Sequence, residues 1–232
     1  MKVLAIIPAR KGSKRLPGKN LLPIAGKSLV QRAIETTLAS KAFARVIVSS
    51  DDPEILRIAS GYPGVTALQR PDAICTDTAL AYLYVEHALS FLSDKRESDF
   101  DAVVIVQATS PLVLAADIIG VLEKLESSGA DTVVSVSKID FAVHPHKMKL
   151  LNGDKLHDYL VAENGVTAHH QLPEIYVRNG AIYASRTYVF QQHRVIGDDC
   201  RGFVMPRNRS VDINDQLDYD FAKFLIETHP NQ

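Results

Sequence analysis

The sequence predicts an α/β fold: a mostly parallel sheet covered by helices on both faces. Three observations carry this expectation. Short, continuous aliphatic runs recur along the first half of the chain. Segments of helical periodicity with recognisable caps lie between them. The polar and charged residues collect just past the ends of the aliphatic runs, not within them.

Taken in order, residues 3–7 read VLAII, too short for a helix and apolar on both faces, as a strand covered on both sides is. Ser28 is a helix N-cap, and Leu29, Ala33, Ile34 and Leu38 share one face of a helix over 29–40. Residues 45–49 form a second strand ending in Ser50-Asp51-Asp52. Asp52 followed by Pro53 is a cap and a first helical residue, opening a helix to about residue 60. Residues 65–68 are a third strand, running into Gln69-Arg70-Pro71. Asp77-Thr78 precede a helix over about 79–92. The fourth strand, 102–107, leads into Ala108-Thr109-Ser110-Pro111, and a helix over 117–127 precedes a fifth strand, 132–136.

This alternation means βαβ units. In such sheets ligands sit beyond the carboxyl ends of the strands. Those ends carry Ala9-Arg10, Ser49 to Asp52, Gln69-Arg70 and Gln107 to Ser110. The alternation breaks at residue 139. Residues 139–175 hold His144, His146, His157, His169 and His170 without a clean period and read as an inserted lobe or hairpin excursion within one domain spanning 1–232. Strands return at 181–184 and 202–205, and an acid-rich turn from Asp212 opens a C-terminal helix.

Composition narrows the function. With 232 residues, 46% apolar, the chain can build a sizeable core, and its net charge of −1 lacks the positive field of a nucleic-acid or membrane-surface binder. No apolar run approaches the roughly 20 residues that span a bilayer. The two cysteines, Cys75 and Cys200, and the absence of a secretory leader point to a cytoplasmic setting.

Against that neutral background the segment from Pro8 to Asn20, PARKGSKRLPGKN, stands out. Arg10, Lys11, Lys14, Arg15 and Lys19 sit among Gly12, Ser13, Pro17 and Gly18, and no acid occurs before Glu35. A strand ending in a small-residue cationic loop is suited to an anion, with phosphate the first expectation. It is not a P-loop: five residues separate Gly12 from Gly18, and Asn20 stands where a hydroxyl residue is needed. Near the other end, alternate positions on an extended segment send the side chains of Asp212 and Asn214 to one side. They read either as oxygen ligands for Mg²⁺ or as caps of the final helix. Gln107, Thr109 and Ser110 read either as groups that orient a polyhydroxylated ligand or as a strand-end turn. The histidines lack zinc-site spacing and read as solvated or hydrogen-bonded.

The opening IPARKGSKRLPGKN resembles the signature of the cytidylyltransferases that activate nonulosonic acids, the CMP-sialic acid synthetase (acylneuraminate cytidylyltransferase) family. So do Arg70-Pro71 with Asp77-Thr78, Gln107 to Pro111, Gln171-Leu172-Pro173 through Arg178 to Tyr183, and Ser210 to Asn214 with Asp218, in that order. The resemblance implies a nucleotide-diphospho-sugar transferase fold in which residues 139–175 are a small dimerisation lobe. It also implies that CTP and an acidic nine-carbon sugar give a CMP-sugar and pyrophosphate, with Mg²⁺ as cofactor and a homodimer as the working state. By the same resemblance Arg10 and Lys19 hold the triphosphate and act in catalysis, with Ala9, Gly12, Ser13 and Asn20 around them. Arg70 and Asp77 lie toward the cytidine. Gln107, Thr109, Ser110, His170 and Asn179 lie toward the sugar, and Asp212 with Asn214 holds the metal. Departures from the pattern are His169-His170 where an arginine is common, Ala108 and Val113 in the strand-four block, and Asn214 where a second aspartate is common. The alternatives are a CMP-Kdo synthetase-type enzyme, whose strand-four block carries acids absent here, and a catalytically idle nucleotide-binding homologue.

Overall fold

A computed structural model describes residues 1–97, 99–160 and 172–228. The strands are β1 (Val3–Pro8), β2 (Pro23–Ile24), β3 (Lys27–Ser28), β4 (Arg45–Ser50), β5 (Val65–Gln69), β6 (Ala102–Val106), β7 (Thr132–Lys138), β8 (Lys149–Asn152), β9 (Lys155–Asp158), β10 (Tyr176–Arg186) and β11 (Cys200–Val204). The helices are α1 (Leu29–Ala39), α2 (Pro53–Ser60), α3 (Ala81–Asp94), α4 (Ala115–Ser128), α5 (Thr187–Gln191) and α6 (Gln216–Thr228).

Seven strands form one sheet in the order β11-β7-β10-β6-β1-β4-β5. β1 pairs in parallel with both β4 and β6, and β4 with β5. The sheet is thus mostly parallel, with β10 running antiparallel to both β6 and β7. The pleat sends alternate residues of β1 to opposite faces. Val3, Ala5 and Ile7 enter a cluster with Val30 and Ile34 of α1, Ile55 of α2 and Ile118, Val121 and Leu125 of α4. Leu4 and Ile6 enter a second cluster with Val85, Ala88 and Leu92 of α3 and Phe190 of α5. Both faces of the strand are dry, which is why its sequence is continuously aliphatic.

Local chemistry sets the boundaries. Ser28 and Gln31 cap α1 reciprocally: Ser28 N–H donates to Gln31 Oε1 at 2.9 Å, and Gln31 N–H to Ser28 Oγ at 3.4 Å. Asp52 accepts from Glu54 N–H at 2.9 Å, with Pro53 as first residue of α2. α3 begins at Ala81, two residues later than the sequence suggests, because Leu80 is extended. α4 begins before Asp117, whose carboxylate reaches back to Leu114 N–H at 2.9 Å.

The strand expected at 181–184 is the centre of an 11-residue strand. Its register with β7 shifts between Arg178 and Tyr183, around Gly180. Among the described residues, the segment 139–175 holds two short 3₁₀ turns and the β8–β9 hairpin, which forms a two-stranded sheet of its own. Residues 161–171, including His169 and His170, lie outside the described residues. A third cluster joins the two ends of the chain: Leu16, Ile24 and Leu29 pack with Val211, Ile213 and Ala222.

Candidate active site

β1 delivers the basic loop to the carboxyl edge of the sheet. Ala9 is buried and extends the ladder by donating to Ser49 O at 3.0 Å. The loop then returns on itself: Asn20, also buried, donates from Nδ2 to Arg10 O at 3.0 Å. Leu16 anchors its middle in the third cluster, and Gly18 at φ +65° makes the left-handed turn that brings Lys19 back to the sheet. The cleft beneath holds about 270 Å³ and is lined by Arg10, Gly12, Ser13, Lys19 and Asn20 on one side and by Arg70, Asp77 and Tyr84 on the other. Gln107 and Thr109 line it as well.

Arg70 is a fixed cation in this wall. Only 4% exposed, it donates from Nε to Ser49 Oγ at 3.0 Å and from a terminal nitrogen to Ser49 O at 2.8 Å. Its guanidinium lies 4.8 Å from the centre of the Tyr84 ring. Burial is the main influence on its pKa and lowers it. Arg10 and Lys14 both reach Asp77, at 2.5 and 2.6 Å. One exposed carboxylate thus sits between two cations of the basic loop, and their hydrogen bonds hold its pKa below the usual range.

The acidic turn closes the far end. Asp212 Oδ1 accepts from Thr109 Oγ1 at 2.7 Å, and Thr109 O accepts from Ile213 N–H at 2.9 Å, so one residue of the strand-four block holds the turn by two bonds. Asp212 Oδ2 accepts from Asn214 Nδ2 at 2.9 Å, while Asn214 Oδ1 accepts from Arg15 at 2.8 Å. Asp215 and Asp218 cap the final helix reciprocally: Asp215 Oδ1 accepts from Asp218 N–H at 3.1 Å, and Asp218 accepts from the backbone of Asn214 at 2.8 Å and of Asp215 at 3.3 Å. Asp212 takes no part in that cap. Lys19 Nζ donates to Ile213 O at 2.7 Å. Burial pushes the Lys19 pKa below the ordinary 10.5, Asp212 opposes this, and Arg15 and Arg10 reinforce it.

Asp212 also lines a second cleft, of about 400 Å³, with Ser137, Val177, Arg178, Asn179, Gly180, Tyr183 and Ser210. Gly180 is at φ +76°, and a Cβ there would lie 3.3 Å from Asp212 Oδ2. Asn179 lines this cleft, but its amide is used internally. Oδ1 accepts from Ser135 Oγ at 2.6 Å and from Ala181 N–H at 3.3 Å, and Nδ2 donates to Ser210 Oγ at 2.9 Å. Ser110, which closes the strand-four turn by donating from its backbone N–H to Gln107 O at 3.2 Å, is buried. His170 lies outside the described residues.

The structure thus gathers Arg10, Gly12, Ser13, Lys19, Asn20, Arg70, Asp77, Gln107 and Thr109 around one cleft and joins it to Asp212. Sequence reasoning missed Tyr84 and the role of Ser49, which fix Arg70, although the polar end of β4 signalled Ser49; Arg178 and Tyr183 of the second cleft belong to a block the resemblance had marked. Among the described residues no three His, Cys, Asp or Glu side chains converge on one point. One carboxylate, Asp212, beside neutral oxygens does fit a Mg²⁺ that draws its remaining ligands from phosphate and water.

Comparison with known proteins agrees with this geometry. The pseudaminic acid cytidylyltransferase of Campylobacter jejuni (serotype O:2) is 28% identical over 99% of this chain and 98% of its own length. The N-acylneuraminate cytidylyltransferase of Escherichia coli O18:K1:H7 is 30% identical over 95% of this chain, which spans 51% of that relative. A structure of CMP:2-keto-3-deoxy-manno-octonic acid synthetase complexed with CTP superimposes with a TM-score of 0.73 over 99% of this chain and all of that one, at 19% identity, which establishes the shared fold. Residues 4–225 match the cytidylyltransferase family, and the chain is a member of it.

Proposed function

We propose that the protein transfers the cytidylyl group of CTP to the anomeric C2 hydroxyl of a nonulosonic acid, of the pseudaminic, sialic or legionaminic type, releasing pyrophosphate. One junction carries the reading. Thr109 lines the cationic cleft, and the carboxylate it holds, Asp212, lines the other cleft. A triphosphate in the first and a sugar acid in the second meet at that carboxylate.

The physical problem is repulsion between an anionic sugar acid and a polyanionic nucleotide. Arg10, Lys14 and Lys19 answer it by neutralising the phosphates, and the two clefts answer it by alignment. Nucleotide binding then draws Arg10 and Lys14 from Asp77 onto phosphate oxygens. The C2 hydroxyl oxygen bonds to the α-phosphorus, the bond from that phosphorus to the α,β-bridging oxygen breaks, pyrophosphate leaves, and the hydroxyl proton goes to solvent. Asp212, with Asn214 beside it, would hold Mg²⁺, which supplies charge neutralisation at the phosphates when bound.

We also propose a homodimer built on the segment 139–175, working in the cytoplasm. The β8–β9 hairpin exposes Leu150, Leu151 and Leu156 by 54%, 68% and 66%, and Tyr159 beside it is exposed too. A second copy of this chain would cover that apolar surface. Among the described residues no helix is long and apolar enough to cross a membrane.

The test is pyrophosphate release from CTP and Mg²⁺ with a panel of pseudaminic, sialic and legionaminic acids and Kdo. Release with at least one nine-carbon acid is expected. Silence with all four would refute the reading, and turnover of Kdo alone would reassign the sugar.

A further inference from the structure

A histidine holds the approach to β10 from the side. Two consecutive 3₁₀ turns, Phe141–Val143 and Pro145–Lys147, follow β7, and His144 stands between them. It is only 4% exposed. Its Nδ1 accepts from His146 N–H at 3.3 Å, which caps the second turn, and its Nε2 lies 3.2 Å from Pro173 O. A backbone N–H can only donate and a carbonyl can only accept. Nδ1 is therefore bare and Nε2 carries the hydrogen, so the two bonds together require one tautomer of the neutral ring.

Pro173 lies 29 residues beyond His144, just before β10. Two residues further on, Ile175 O accepts from Ile139 N–H at 3.1 Å. The chain then enters β10, where Val177 pairs with Ser137 and both line the second cleft. The grip on Pro173 and Ile175 thus sets where the wall of that cleft begins. Lys138 and Glu174 line the recess of about 230 Å³ beside the imidazole, and the His146 ring stacks on it with centres 5.3 Å apart. The acids of this neighbourhood are each taken by other groups: Glu174 by Lys138 and Tyr176, and Asp140 by Arg207. Lys147 lies over the Phe141 ring.

We propose that His144 is a positioning residue for the sugar substrate: as the neutral Nε2–H tautomer it clips the entry of β10 to the turn at Pro145 and so holds the wall of the second cleft in place. This rests on the cytidylyl-transfer reading, which seats the sugar acid in that cleft. The clip works only with both ends closed. A proton added at Nδ1 faces the His146 N–H with another donor, so that bond opens while the bond to Pro173 O remains. The imidazole then no longer ties the strand to the turn. The clip is therefore present at higher pH and lost as pH falls through the titration of the ring.

The experiment compares wild type, His144→Leu, His144→Gln and His144→Asn in pyrophosphate release by the full chain, with the accepted sugar acid. At about pH 8, His144→Leu should raise the KM for the sugar about tenfold, the size of a lost hydrogen bond, and leave the KM for CTP within about twofold. The Gln amide nitrogen can reach Pro173 O and the Asn amide oxygen can accept from His146 N–H, so each of these variants should recover part of the loss. Lowering the pH to about 5.5 should shrink the advantage of wild type over His144→Gln in sugar KM, because only the imidazole takes up a proton. The Gln and Asn variants keep a polar group in place and carry the test if His144→Leu does not fold. An active wild type whose sugar KM is matched by His144→Gln and His144→Asn at pH 8 overturns this assignment alone. So does a loss shared equally by the CTP and sugar KM, or an advantage over His144→Gln that is constant with pH. A wild type that releases no pyrophosphate with any of the acids overturns the transfer reading and this assignment with it.

Discussion

Lys19 and Ile213, 194 residues apart, are joined by a 2.7 Å hydrogen bond from the lysine ammonium to the isoleucine carbonyl. That bond puts the cationic loop's last charge beside Asp212. It also makes Lys19 half-buried, and burial pushes its pKa below 10.5. A buried lysine is easier to discharge, so the charged form that phosphate needs is lost earlier as pH rises. The alkaline limb of kcat/KM for CTP should fall below pH 10.5 and move upward in Lys19→Arg, whose guanidinium does not deprotonate. Lys19→Ala should lower kcat about a hundredfold or more. An alkaline limb identical in the arginine variant would assign it to another group.

Thr109 fixes the orientation of Asp212 with its hydroxyl and the position of the turn with its carbonyl. Thr109→Val keeps the carbonyl and the shape but removes the hydroxyl. Activity should drop about ten- to a hundredfold, as when a partner that orients a metal-binding carboxylate is lost, and more Mg²⁺ should be needed. If the Mg²⁺ titration of pyrophosphate release does not move, Asp212 is not the metal's carboxylate.

Asn214 turns its nitrogen to Asp212 and its oxygen to Arg15. An aspartate there would place two carboxylates side by side, with Arg15 still able to pair with the new one. Asn214→Asp should lower the Mg²⁺ concentration for half-maximal rate severalfold. An unchanged midpoint would remove this position from the metal site.

Gly180→Ala should cost about 1–2 kcal/mol, because φ +76° disfavours any side chain. The new methyl would also press on Asp212 from 3.3 Å. Thermal melting reads the first effect and activity the second. A stable variant with reduced turnover would isolate the displacement of Asp212, while a fully active one would show that Asp212 tolerates it.

Much of this was readable in the chain. Continuous aliphatic runs such as residues 3–7 revealed strands buried on both faces, and the caps at Ser28 and Asp52 revealed where helices begin. The direction of β10 was not readable, since its apolar core 181–184 looks alike whichever way it runs. The site was legible in its charged residues. What escaped were the bonds that position them: Ser49 beneath Arg70 and Thr109 beneath Asp212 join distant segments, and a hydroxyl carries no local pattern to announce its partner. The resemblance placed Asn179 toward the sugar, yet its amide is turned inward.

The cluster of Leu16, Ile24 and Leu29 with Val211, Ile213 and Ala222 has a consequence for synthesis. The sheet's first strands can pair as they leave the ribosome, but the basic loop has no hydrophobic seat until residues 211–222 have emerged. Contacts of such sequence separation form late. Until then a nascent chain carries an unanchored cationic loop that lacks the acidic turn opposite it. Nucleotide binding would therefore switch on only once residues 211–222 have emerged, well after most of the sheet has formed.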